Sequence, residues 1–159
     1  LPYYITSPVI MKLLEDRLPI TSITVMVQKE AAERLCAQPG TRECGAVSAA
    51  VQYYAEPEIL FEVSRGSFMP APNVDSAVIQ LRIRKEPPVD VHDEALFFRV
   101  IRAAFAQRRK TAVNSISNTL HMSKQQVTDA FEQAGVRANS RAEALTLPEF
   151  AAIVNQLAD

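Results

Sequence analysis

The sequence holds no tryptophan, only four glycines and two cysteines, and no apolar run approaching the ~20 residues that a membrane-crossing helix needs. Each shortage excludes something. With glycine only at Gly40, Gly45, Gly66 and Gly135, no G-x-G-x-x-G loop can be written, so the usual glycine cradle for a nucleotide cofactor is missing. Cys36 and Cys44 have no second Cys/His cluster beside them, so a zinc site lacks ligands. They read as two ordinary reduced thiols, which points to the cytoplasm. His92 and His121 are isolated and read as surface residues. Acid is missing locally as well: from Ala95 to Thr128 there is no Asp or Glu.

That acid-free stretch carries Arg99, Arg102, Arg108, Arg109, Lys110 and Lys124. The formal net charge is nevertheless −1, because the flanks are acidic: Glu56, Glu58 and Glu62 before it, Asp129, Glu132, Glu143 and Glu149 after it. A near-neutral chain with one basic segment suits a localised anionic partner rather than polyanions in general. Hydrophobic residues make up 48% of the 159, enough for a substantial core. The length fits one ordinary domain, or part of one with a small appendage.

Ser7-Pro8 signals a helix start, with Val9, Ile10, Leu13 and Leu14 at helical spacing before Pro19. Ile20–Gln28 is apolar and β-branched almost throughout, as a strand covered on both faces would be. A short helix is expected from Lys29 to Ala37, broken by Pro39-Gly40, and another from Gly45 to Ala55. Glu58–Arg65 and Asp75–Arg84 read as strands, with the proline-rich loop GSFMPAPN between them. Beyond Lys85-Glu86-Pro87-Pro88 the pattern turns helical. One helix is expected from Glu94 to about Lys110, one from Ser123 to Gly135, and one from Leu147-Pro148 onward. The layout is an α/β piece, residues 1–86, followed by a small all-α domain, residues 87–159.

Two loops carry candidate chemistry. Leu1-Pro2-Tyr3-Tyr4 joins a proline to aromatics just before a helix, where α/β sheets bind ligands; taken alone it is also what an aromatic packed on the core looks like. Gly66-Ser67-Phe68-Met69-Pro70-Ala71-Pro72 holds Phe68 in a segment stiffened by proline. Two rings on stiff loops suit the clamping of an extruded base.

LPYYITSPVI, VQKEAAERL, GSFMPAPNVDSAVIQL, FRVIRAAFAQRRKTAVNS and SRAEALTLPEF, in this order and spacing, resemble the ribosomal-RNA adenine dimethyltransferases, above all those of the bacterial small subunit. The resemblance spans essentially the whole chain. It implies the C-terminal portion of a class I, Rossmann-like S-adenosylmethionine-dependent methyltransferase sheet, plus a helical RNA-docking domain. Its family loop reads Asn-Leu-Pro-Tyr, so this chain would start one residue after the Asn. It implies that Leu1 and Pro2 supply backbone to the target adenine, and that Tyr3 and Phe68 stack on it. In the family the glycine-rich loop and the acids that hold S-adenosylmethionine lie upstream of that Asn. The cofactor is therefore expected to be bound by an N-terminal half absent here, and this chain alone to be inactive.

On a helix at ~100° per residue, Arg99, Arg102, Arg109 and Lys110 would form one stripe, with Arg108 toward the apolar side unless the helix has already ended. Together with the resemblance, the stripe reads as phosphate contacts to ribosomal RNA of the small ribosomal subunit. Arg141 and Glu143, in SRAEAL, read as a structural cap or interhelix pair. Two alternatives stand beside the small-subunit enzyme. One is the macrolide-resistance type, which modifies large-subunit RNA; the other is a non-catalytic RNA-binding assembly factor of the same fold. The implied strand order puts Asp75–Arg84 between the other two strands. Ile20–Gln28 is then an open edge through which the chain would self-associate, whereas the full-length enzyme is expected to be a monomer.

Overall fold

The computed structural model describes residues 6–159; Leu1, Pro2 and Tyr3 lie outside the described residues. Ten elements follow in order: α1 (Thr6–Glu15), β1 (Ser22–Gln28), α2 (Lys29–Cys36), α3 (Ala46–Tyr54), β2 (Ala55–Val63), β3 (Ser76–Ile83), α4 (Glu94–Phe105), α5 (Ala112–Leu120), α6 (Lys124–Gln133) and α7 (Leu147–Ala158). Among the described residues, no helix is long and apolar enough to cross a membrane.

The strands form one sheet in the order β1-β3-β2, antiparallel throughout, with Val25 opposite Ile79 and Ile79 opposite Ile59. β3 is therefore the central strand, as expected, and β1 an edge. Alternation along β3 sets its face: Ala77, Ile79 and Leu81 are buried, whereas Arg82 is exposed. Ile23 and Val27 of β1 share that face and meet Ile10 and Leu14 of α1, Ala32 and Leu35 of α2, and Val51 of α3.

The other face is open. Met26, Val78 and Phe61 are cross-strand partners there, with Met26 39% and Phe61 56% exposed. This corrects the expectation that β1 is covered on both sides. Its β-branched run fits a pleated surface whether or not the second face is covered, because the described helices α1 to α3 all pack on the first.

A second core gathers Phe97, Val100 and Ile101 of α4, Ile116 of α5, Phe131 of α6, and Phe150, Ile153 and Val154 of α7. Sequence signals account for most of its boundaries. Asp93 caps α4 by accepting from Leu96 N, and Ser123 caps α6 by accepting from Gln126 N. Thr146 and Glu149 form a reciprocal capping box at α7. Gly135, at φ +75°, ends α6 in the left-handed conformation, with Val136 N donating to Phe131 O.

The cores meet at α3. Its Val51 packs in the sheet core, while Ala49 and Tyr53 belong to the helical one. Around this helix Tyr53 lies 5.2 Å from Phe97 between ring centroids, and Tyr54 stacks on Phe98 at 5.4 Å. Glu94, in the first turn of α4, accepts from Tyr53 Oη at 2.7 Å and from Arg17 at 2.8 Å. Burial pushes the Glu94 carboxyl upward, but the hydrogen bonds from Tyr53 and Arg17 outweigh it and hold the group below its ordinary range.

Candidate nucleic-acid interface

Phe68 sits on the β2–β3 connection, at the end of the sheet where β1 and β2 finish and β3 begins. The connection is tied down at its base. Asp75 accepts from Arg65 N at 2.9 Å, and the Arg65 guanidinium donates to Asn73 O at 3.1 Å. The Asp75 carbonyl accepts from Lys29 N, which joins the loop to the start of α2. A single turn of 3-10 helix, Arg65–Ser67, then delivers Phe68, whose N–H donates to Arg65 O. Phe68 is half-buried, and Met69 beside it is 99% exposed. The ring thus stands near the first foot of the connection, residues 64–75, whose two feet are tied together, a place where its flat face could meet a planar ligand.

The five candidate cations divide between two settings. Arg99 and Arg102 lie on α4, and both are exposed. Arg108, Arg109 and Lys110 do not continue that helix, because α4 ends at Phe105. This corrects the expected helix to Lys110, and with it the stripe built on ideal-helix angles.

A serine on the next helix explains the ending. Ser115 Oγ of α5 donates to Ala103 O and accepts from Gln107 N, supplying partners that another helical turn would otherwise provide. The chain then reverses. Lys110 N donates to Gln107 O, Thr111 caps α5 by accepting from Asn114 N, and Arg141 donates to Arg108 O at 2.9 Å. Arg108, Arg109 and Lys110 therefore project from a braced turn. Arg141 and Ser115 hold its shape, a role that no spacing rule in the sequence announces.

What sets this region apart is that no Asp or Glu occurs from Ala95 to Thr128. Near the sheet, by contrast, Arg17 pairs with Glu94, Lys29 with Glu62, and Arg82 and Arg84 with Glu56. Arg99, Arg102, Arg108, Arg109 and Lys110 make no ion pair among the described residues, and all are exposed. Unpaired arginines on a fixed turn present forked donors to phosphate oxygens without first breaking an internal bond.

The described residues offer no cradle for a nucleotide-like cofactor. The sheet has no parallel strand running through a glycine turn into a helix. Gly40 and Gly135 serve turns at positive φ, and Gly66 sits inside the 3-10 turn. No group of three His, Cys, Asp or Glu residues among them stands close enough to hold a metal.

Neither thiol is set up as a nucleophile. Burial raises both Cys36 and Cys44 to about 11, so the thiolate is scarce at neutral pH. Both are expected to react slowly with iodoacetamide at about pH 8 in the folded chain, and fast once it is unfolded in urea. Rapid labelling of either in the native chain would contradict this.

The family model described as ribosomal RNA adenine dimethylase matches residues 1–159. The chain is 53% identical over 160 residues to ribosomal RNA small subunit methyltransferase A of Geobacillus sp. (strain WCH70), a match covering 99% of this chain and 55% of that protein. The protein of the same name from Oceanobacillus iheyensis is 48% identical over 157 residues, covering 98% of this chain and 53% of that one. The chain thus spans about half the length of the curated relatives it matches. Among solved structures, a dimethyladenosine transferase from Plasmodium falciparum superposes with a TM-score of 0.73 at 22% identity, over 96% of this chain and 62% of that one. The 23S rRNA methyltransferase ErmE superposes at 0.71 and 22%, over 100% and 63%. At that identity the two structures establish likeness of fold.

Proposed function

Since the chain belongs to the ribosomal RNA adenine dimethylase family, we propose that it forms the target-base and RNA-docking portion of an enzyme that dimethylates adenine N6 in small-subunit ribosomal RNA. The α/β piece, residues 1–86, would be the C-terminal part of a class I methyltransferase sheet, and residues 87–159 its docking domain. The observation that carries this reading is the set of five exposed cations without an ion pair on α4 and the braced α4–α5 turn, in a stretch that holds no Asp or Glu. The relatives' shared name, small subunit methyltransferase, favours that substrate over large-subunit RNA.

In this reading the chain's residues position rather than react. Phe68, with Tyr3, holds the extruded adenine, and Leu1 and Pro2 supply backbone beside its amino group. The exocyclic nitrogen is a poor nucleophile while its lone pair is delocalised into the ring. Fixing the base and accepting its N–H protons turns that pair outward, and the rate follows from position. S-adenosylmethionine would supply the methyl group, and this reading assigns its binding to the part of the relatives that the chain does not span. Arg99, Arg102, Arg108, Arg109 and Lys110 would contact phosphates of the folded RNA.

Replacing Arg102, Arg109 and Lys110 together by Ala is expected to weaken binding to small ribosomal subunits and to flatten the log-log salt slope by about 2–3 units. An unchanged slope would reduce these residues to a solvated face. Methylation by the full-length protein of purified large subunits alone would move the substrate to the other ribosomal RNA. An absence of methylation on both subunits, with binding retained, would favour the assembly factor.

A further inference from the structure

A concave groove of about 280 Å³ opens between α1, α3 and α4, floored by Met11, Val47, Ala50 and Phe98 and rimmed by Glu15 and Arg102. Met11, Val47 and Phe98 are half-buried, so the floor turns apolar surface outward instead of sealing it into either core. The two rim charges are opposite in sign and both exposed. Neither forms an ion pair with the other or with any other described residue.

We propose that this groove is a nucleotide subsite, taking one unstacked ribonucleotide of the RNA that the basic turn engages. The proposal rests on the RNA-docking reading above. Arg102 belongs to the same unpaired basic set as Arg109 and Lys110, so the groove rim carries one member of that set. The rim also fixes the polarity of the occupant. A phosphate goes to Arg102 and is repelled from Glu15, so the base lies across Met11 and Phe98 with its edge toward Glu15.

A carboxylate accepts well from guanine, which presents N1–H and its amino N–H side by side, and poorly from uracil, whose single N3–H lies between two carbonyl oxygens, so guanine is preferred to uracil. Size argues the same way. The volume falls just below the ~300 Å³ at which clefts for drug-sized ligands begin, which suits one nucleotide. A partner helix anchored at i, i+4 and i+7 needs a longer trough.

The test labels the methionine methyl groups with carbon-13 and titrates the 159-residue chain with oligouridylate, and with oligouridylate carrying one central guanosine. The Met11 signal is expected to shift saturably with RNA, and more at equal concentration with the guanosine probe. The Met26 signal, on the open sheet face, is expected to stay in place. Val47→Trp, which fills the groove, is expected to weaken binding about tenfold with the thermal midpoint retained. Should that variant unfold, Glu15→Gln at an exposed position decides, since it is expected to abolish the preference for the guanosine probe.

Two results would remove the groove while leaving RNA docking standing. One is wild-type affinity in Val47→Trp with weakened binding in Arg109→Ala. The other is a Met11 signal unmoved by RNA but shifted by an amphipathic helical peptide. Absence of binding by either probe, at low salt and in the wild type, would overturn both the groove and the reading beneath it.

Discussion

Phe68→Ala, in a full-length protein carrying this chain, is expected to lower methylation turnover about ten- to a hundredfold while RNA affinity stays within a few fold. The loss follows from the worth of one aromatic–base stack, about 1–3 kcal/mol. The separation of effects follows from the layout. Phe68 stands on the β2–β3 connection, whereas the unpaired cations stand on α4 and the turn after it. Removing the ring would take away the proposed contact with one extruded base and leave the proposed phosphate contacts untouched. Tyr3→Ala is expected to behave alike, because the proposed clamp needs both rings. Single-turnover methylation beside equilibrium binding separates the two quantities. Wild-type turnover in either variant would take the clamp out of the account.

The second large effect concerns the chain by itself. At high micromolar concentration the 159-residue chain is expected to sediment as a dimer or larger species, associating through β1. The sheet has two edges, and they differ in chemistry. β2 carries Glu56, Glu58 and Glu62, with Pro57 among them and a register irregularity between Ile59 and Phe61, all of which discourage pairing. β1, from Ser22 to Gln28, has neither charge nor proline. It also borders the open face on which Met26, Val78 and Phe61 line up. An uncharged, β-branched edge next to exposed apolar surface templates a further strand. Met26→Lys adds charge to both features and is expected to shift the distribution toward monomer. A wild-type chain that sediments as a clean monomer at that concentration would show β1 to be blunted by something else.

Those two predictions draw on features with very different visibility in the sequence. The proline-flanked Phe68 could be located because proline and glycine act on the backbone locally, whatever packs around them. Ser123, Gly135 and the Leu147-Pro148 start were legible for the same reason. The central place of β3 came from the family's fold, since no local signal orders strands.

The end of α4 was hidden. Ala106, Gln107 and Arg108 are good helix formers, and nothing nearby tells the helix to stop. What stops it is Ser115 on the next helix, a tertiary partner. α5 itself went unassigned because its SISN core has weak propensity. Its terminator is His121 at φ +56°, in place of the glycine that usually marks such an end. As a result the basic residues could be found as a segment, but their arrangement could not. Three of them ride a turn whose shape is set by Ser115 and Arg141.

Because α3 lends Val51 to the sheet core and Ala49 and Tyr53 to the helical one, the two halves share a wall. Nicking the backbone between Pro87 and Pro88 would not release a self-sufficient bundle. The helices would lose Tyr53, and Glu94 would lose the partners that neutralise it. The folded chain is therefore expected to melt as one cooperative unit. Swapping the helical half between relatives would require α3 to travel with it.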